Sequence, residues 1–238
     1  MIYVTGDCHG NFRRFQSDCF PEQANMTKDD TVIIAGDCGG VWFGDSRDDE
    51  TLDWLERLPF TLAFVCGNHE NYDALERYAV AEWHGGKVHR IRPHVLHLMR
   101  GQIFELEGCR FFTMGGATSV DREYRVPYSS WWPQELPDER DFDTARTKLD
   151  EVGWKVDCVI THTCSTRMLS PTLYPDPGWE RPDVDRLTEF LDELEDRLDY
   201  KRWYYGHSHR DANPAERHTV LYDCVVRLGD ELQPWDVA

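Results

Sequence analysis

No stretch of about 18 apolar residues occurs in this 238-residue chain, so no membrane-spanning helix is expected. No basic segment followed by an apolar stretch precedes the strand-like Ile2-Tyr3-Val4, so no signal peptide is visible and a cytoplasmic protein is the expectation. The eight cysteines are scattered, with no Cys-x-x-Cys pair among them, which reads as reduced thiols. Basic charge is scarce too: 26 Lys and Arg against 44 Asp and Glu leave a formal net charge of −18. An extended nucleic-acid face needs clustered Lys and Arg, so that class is disfavoured. A phosphate-bearing ligand stays open, because bound cations reverse the potential locally. No repeat, low-complexity tract or interdomain linker appears, and the length suits one domain over residues 1–238.

Apolar residues make up 40% of the chain, enough for a packed sheet. The first half alternates: strands over 2–5, 31–35 and 62–66 lead to helices near 11–19, 48–58 and 72–79. That order implies a parallel sheet covered by helices. Residues 87–91, 95–99, 102–106 and 110–114 are short strand-like runs joined by Gly or Pro turns, and they predict a second, mixed or antiparallel sheet. Glu107-Gly108 is a hairpin signal between the last two. A strand follows at 156–160. Residues 184–198 carry Leu and Phe at helical spacing and predict an amphipathic surface helix. Strands over 203–205, 219–222 and 224–228 close the chain. Two long loops, 115–141 and 163–183, begin at strand ends, where ordered loops of that length are usually functional.

Five segments end in metal-binding side chains: Gly6-Asp7-Cys8-His9-Gly10, Gly36-Asp37, Gly67-Asn68-His69-Glu70, Thr161-His162 and Gly206-His207-Ser208-His209. Each follows a strand-like run. In an α/β sheet, ligands gather beyond the carboxyl ends of the strands, so these ends predict one polar pocket. It offers two carboxylates, an amide and four imidazoles besides His69, which is more than one metal ion needs and suits two. Strand alternation turns Cys8 away from the side that Asp7 and His9 face.

This order of segments resembles the calcineurin-like metallophosphoesterases, over nearly the whole chain from Gly6 to His209. The resemblance implies an α/β fold: a four-layer αββα sandwich of two mixed sheets flanked by helices. It implies a phosphate-ester substrate and two metal ions. Asp7, His9 and His209 would hold the first, Asn68, His162 and His207 the second, and Asp37 would bridge them. The mixed oxygen and nitrogen donors favour Mn, with Fe or Zn as alternatives, over Mg. Two such ions about 3.5–4 Å apart can turn a bridging water into hydroxide and clamp a phosphoryl group. His69 is left over as a non-ligand, and the resemblance makes it the general acid.

The sequence departs from the phosphoprotein phosphatase branch of that family. The second segment continues Cys38-Gly39-Gly40-Val41-Trp42, without that branch's arginine, and Cys66 stands where another arginine would precede Gly67. Gly40 replaces the Asp that supports the acid. Arg122 and Arg125 are the best replacement phosphate contacts, since guanidinium suits bidentate recognition; the other reading is a solvated pair beside Asp121 and Glu123. Tyr124, Tyr128, Trp131 and Trp132 on the same loop either stack on a flat group or pack the loop down, the commoner fate of large aromatics. His84, His89, His94, His97 and His218 match no motif position. Phosphomonoesters, small or nucleotide-like or on a protein, are the first substrate expectation, and cyclic or dinucleotide diesters the alternative. A non-catalytic binding module is a third class, disfavoured because every ligand position and His69 are kept.

Overall fold

Successive residues of the central strands go to opposite faces, and both faces are apolar. Val32 and Ile34 pack with helix residues Leu52 and Leu55, while Ile33 and Ala35 pack against Phe104, Phe111, Ile160 and Tyr204 of a second sheet. On that sheet, Phe112 and Val159 turn the other way, toward Phe142, Leu149, Phe190 and Leu194. A strand buried on both faces needs a layer on each side. Three apolar layers therefore lie between four layers of secondary structure, and the expected αββα sandwich results.

A computed structural model describes residues 1–169 and 184–233. In chain order the elements are β1 (Ile2–Thr5), β2 (Thr31–Ile34), α1 (Asp49–Glu56), β3 (Thr61–Phe64), α2 (Tyr72–Leu75), β4 (Val80–Trp83), β5 (Gly86–Arg92), β6 (Val95–Leu98), β7 (Gln102–Leu106) and β8 (Cys109–Met114). They continue with α3 (Glu139–Glu151), β9 (Cys158–Thr161), α4 (Arg186–Arg197), β10 (Arg202–Tyr205), β11 (Ala212–Ala215), β12 (His218–Val220) and β13 (Val225–Arg227). One sheet runs β13-β1-β2-β3-β6-β5-β4 and the other β11-β12-β10-β9-β8-β7. β1, β2, β3 and β6 are mutually parallel, as are β8, β9, β10 and β12.

Several local expectations are corrected. No helix forms over 11–19: 3-10 turns at Arg13–Phe15 and Pro21–Asn25 replace it. The Gln23 side chain there donates to the carbonyls of Phe15 and Phe20, at 3.0 and 2.9 Å, satisfying acceptors that a helix would have used. The second sheet starts at β7 rather than near residue 87, because β5 and β6 join the first sheet. All four residues of β6 are buried, and that strand lies parallel to β3 with Leu62 opposite Val95. Helix α3 was not expected, although Asp138 and Asp141 form a capping box ahead of Phe142, Ala145 and Leu149. Strands β4 and β11 are also additional. The Glu107-Gly108 hairpin forms, with both residues at positive φ, 51° and 77°. Of the loop expected over 163–183, residues 170–183 lie outside the described residues.

Candidate metal centre

The site lies beyond the carboxyl ends of β1, β2, β3, β9 and β10, the edge where the two sheets face each other. Four of its side chains sit on left-handed backbone: His9 at φ 47°, Asp37 at 49°, His207 at 66° and His209 at 51°. Non-glycine residues there cost of order 1–3 kcal/mol each and persist only where surrounding bonds hold them. Those bonds are present. The Asp37 carbonyl accepts the N–H groups of Cys8 and His9, at 3.0 and 2.8 Å. The Asp7 carboxylate accepts the N–H of His207, at 3.0 and 3.2 Å.

Glycine brings the segments together. A Cβ on Gly67 would fall 2.0 Å from Asp37 Oδ1, and one on Gly206 would fall 2.0 Å from Asp7 Oδ1. The two carboxylates thus lie against bare backbone of neighbouring strand ends.

The donor atoms converge as follows. Asp7, His9 and His209 offer ligand atoms within 4.8 Å of one another, and so do Asp7, Asp37 and His162. His209 Nε2 is 3.2 Å from Asp7 Oδ2. Asp37 Oδ2 is buried and accepts no hydrogen bond, with Nε2 of His162 at 3.4 Å and of His9 at 3.7 Å. Asn68 Oδ1 lies 3.0 Å from His162 Nε2. His207 joins through its ring, centred 5.1 Å from that of His162.

These residues fit metal ions. His162 Nδ1 donates to the Ala35 carbonyl at 2.8 Å, which fixes the ring and aims Nε2 at Asp37 and Asn68. The Asn68 amide nitrogen donates to Ser119 Oγ at 3.2 Å, which aims Oδ1 the same way. The two inward atoms carry lone pairs and need a proton or a cation between them. His9 Nε2 and His209 Nε2, 3.0 Å apart, pose the same requirement. An orphaned carboxylate oxygen facing the imidazoles of His9 and His162 is a donor set for hard to borderline cations.

Without metal the charges settle among the side chains. Burial opposes charge on His162, but the carboxylates of Asp37 and Asp7 outweigh it and push its pKa up to about 9. Burial would raise both acids, yet His162 holds them below the usual carboxylate range. Burial pushes His207 down to about 3.

His69 stands apart from the acids. Its backbone N–H donates to Asp37 Oδ1 at 2.7 Å, and its ring is centred 5.2 Å from that of His9. Its Nε2 is 3.3 Å from Arg125 Nη2, and Asp121 holds that guanidinium by two bonds of 2.7 and 2.6 Å. Burial keeps the pKa of His69 below its ordinary value. Arg125 is thus at the centre. Arg122 turns elsewhere, with its guanidinium 4.5 Å from the Trp131 ring centre. Of the loop aromatics, Trp132 is buried against Trp42 and donates to Asp73, whereas Tyr124 and Tyr128 are exposed.

Three supporting residues were not foreseen. Glu70 is fully buried, and its carboxylate accepts the Cys38 N–H at 2.8 Å, bracing the loop that carries Asp37. Burial and the neighbouring Asp37 push its pKa up to about 8. Ser119 donates to Glu135 Oε2 at 2.5 Å while it accepts from Asn68. The acidic end of the third motif was the only signal for Glu70; nothing local marks Ser119 or Glu135. Cys8 packs into the core with Phe12 and Phe15, and burial pushes its thiol up to about 12.

The chain belongs to the calcineurin-like phosphoesterases: the model of that family matches residues 1–211. It is a metal-dependent hydrolase of phosphoesters. Among solved structures it is similar to a phosphopantetheinyl hydrolase from Mycobacterium tuberculosis, at 14% identity over 93% of this chain and 89% of that one, with a TM-score of 0.43. No curated protein matches the sequence. Among the described residues, no helix is long and apolar enough to cross a membrane.

Proposed function

We propose that the protein is a dinuclear-metal phosphoesterase whose first substrates are phosphomonoesters. The observation that carries this is Asp37 Oδ2, buried without a hydrogen bond and facing the imidazoles of His9 and His162. Asp7, His9 and His209 would hold one ion, Asn68, His162 and His207 the other, and Asp37 both. Manganese suits the donors best, with iron or zinc next. When bound, two such ions supply Lewis acidity and lower the pKa of water toward neutral.

The remaining work falls to the chain. Asp37 Oδ1 is spent on the His69 N–H, which sets the acid at a fixed place beside the metal ligands. Arg125, pinned by Asp121, presents a guanidinium to phosphoryl oxygens. Arg125 donates to His69 Nε2, so a phosphoryl oxygen has to replace Nε2 as acceptor before that atom can take up a proton from solvent. His69 then gives the proton to the leaving oxygen. A monoester dianion matches a cationic centre with one added guanidinium. The same machinery serves diesters, of cyclic or dinucleotides for example, which is the second reading.

Hydrolysis of p-nitrophenyl phosphate after chelation and re-addition of Mn²⁺ tests the proposal. Activity that returns with metal and is lost in Asp37→Asn supports it. Activity that survives chelation or the substitution contradicts it.

A further inference from the structure

The chain passes from the first sheet to the second through residues 99–101, between β6 and β7. The turn closes because the Gly101 N–H donates to the Thr113 carbonyl at 2.9 Å and the Thr113 hydroxyl to the Met99 carbonyl at 3.2 Å. Gly101 takes φ 67°, and a Cβ there would fall 2.8 Å from the Ala145 backbone nitrogen of α3. Arg100, between Met99 and Gly101, turns inward, with its side chain 10% exposed.

Arg100 meets acceptors from four separate segments. Its Nε donates to the Gly115 carbonyl at 3.0 Å, and Nη1 to Asp141 Oδ2 at 3.3 Å. Its Nη2 donates to the carbonyls of Gln134 and Glu135, at 2.7 and 3.1 Å, and to the Tyr72 hydroxyl at 3.0 Å. A planar fork of donors can span such a set, whereas an ammonium is a point charge on a flexible stem.

Two of these contacts lead to Asn68. Tyr72 opens α2, whose cap Asn71 accepts the Ala74 N–H at 3.0 Å. The buried Tyr72 hydroxyl reaches back to the Gly67 carbonyl and donates to it at 2.5 Å. Gly67 is the residue before Asn68. On the other route, the Glu135 carboxylate accepts the Ser119 N–H and hydroxyl, and Ser119 accepts from the Asn68 amide. One route fixes the backbone that enters Asn68 and the other fixes its side chain. Both begin at Arg100 Nη2.

We propose that Arg100 is a positioning residue for Asn68, acting through Tyr72 and Glu135. The inference rests on the dinuclear reading, in which Asn68 is a metal ligand. Asp7, His9 and His209 stand on segments that none of these bonds reach, so the effect is expected at the ion held by Asn68.

Mn²⁺ titration of chelator-treated protein, with free ion followed by its EPR signal, tests it. Tyr72→Phe removes only the hydroxyl, and Arg100→Lys keeps the charge beside Asp141 without the fork. Each is expected to weaken one of two Mn²⁺ sites by about tenfold or more and to leave the other at wild-type affinity. In the double variant the two losses are expected to overlap rather than multiply, because one passes through the other. Glu195→Gln disturbs a buried polar cluster of other residues and is expected to bind both ions as the wild type does. Thermal unfolding checks that each variant folds, and Tyr72→Phe carries the test alone if Arg100→Lys does not. Wild-type affinity at both sites in Tyr72→Phe, losses that multiply, or an equal loss in Glu195→Gln overturns the positioning role alone. Fewer than two ions on the wild type overturns the dinuclear reading beneath it.

Discussion

Asp37 Oδ1 accepts the backbone N–H of His69 at 2.7 Å, so the proposed bridging carboxylate and the proposed acid are set by one hydrogen bond. Gly67 makes that bond possible, because a side chain there would meet Oδ1 at 2.0 Å. Gly67→Ala is expected to displace Asp37 and reduce turnover by about 100-fold or more, with metal binding weakened. Metal titration and kinetics on the folded variant check this; wild-type affinity would contradict it.

Asn68 is aimed by a relay through Ser119 to Glu135. Ser119→Ala leaves the amide free to turn, and the affinity for one metal is expected to fall roughly 10–100-fold, the usual effect of losing an outer-sphere partner. Ser119→Thr keeps the hydroxyl and is expected to restore most of it. Equal affinity in wild type and Ser119→Ala would remove the relay from the account.

The acid and the clamp separate by substitution. His69→Ala is expected to lose about 10²–10⁴ in turnover and to keep both metals. Metal loss on that change, seen by elemental analysis, would make His69 a ligand instead. Arg125→Ala is expected to lower kcat/KM well below the value for Arg122→Ala, because Arg122 is engaged with Trp131. Equal values in the two variants and the wild type would end the clamp proposal.

The convergence of the proposed ligands was legible because each follows a strand, and strand ends in a parallel sheet converge wherever the layers sit. The four-layer order came from the family resemblance; the sequence pattern alone gives α/β, since all-apolar Val32, Ile33 and Ile34 ask only for cover on both faces. The boundary between the sheets was not legible. β5 to β8 share one local pattern, and whether β6 pairs with β3 or starts a new sheet depends on contacts distant in sequence. Arg122 and Arg125 read alike as residues; only the fold puts one on Trp131 and the other beside His69. Ser119 and Glu135 are silent in sequence because their role exists only through Asn68. The positive φ of His9, Asp37, His207 and His209 is likewise invisible in residue types that rarely adopt it.

A pH effect is expected away from the centre. Burial alone would raise the pKa of Glu195, but hydrogen bonding with His218, Tyr200 and Ser165 holds it below the ordinary value. A carboxylate depressed in the folded state stabilises it above the unfolded pKa of about 4.3, and that stability is lost as pH falls through the folded value. Glu195→Gln is expected to be less stable than wild type by about 1–3 kcal/mol at neutral pH. The difference should close below about pH 4. Denaturation at several pH values checks this, and a gap that widens in acid would contradict it.

The central claim is that Asp37 joins two metal ions held by Asp7, His9, His209, Asn68, His162 and His207. Elemental analysis of Mn²⁺-loaded protein after buffer exchange, beside Asp37→Asn, tests it most directly. Two ions per chain in the wild type and fewer in the variant are the predicted result. One ion or none in the wild type, or two retained without the Asp37 carboxylate, would contradict it.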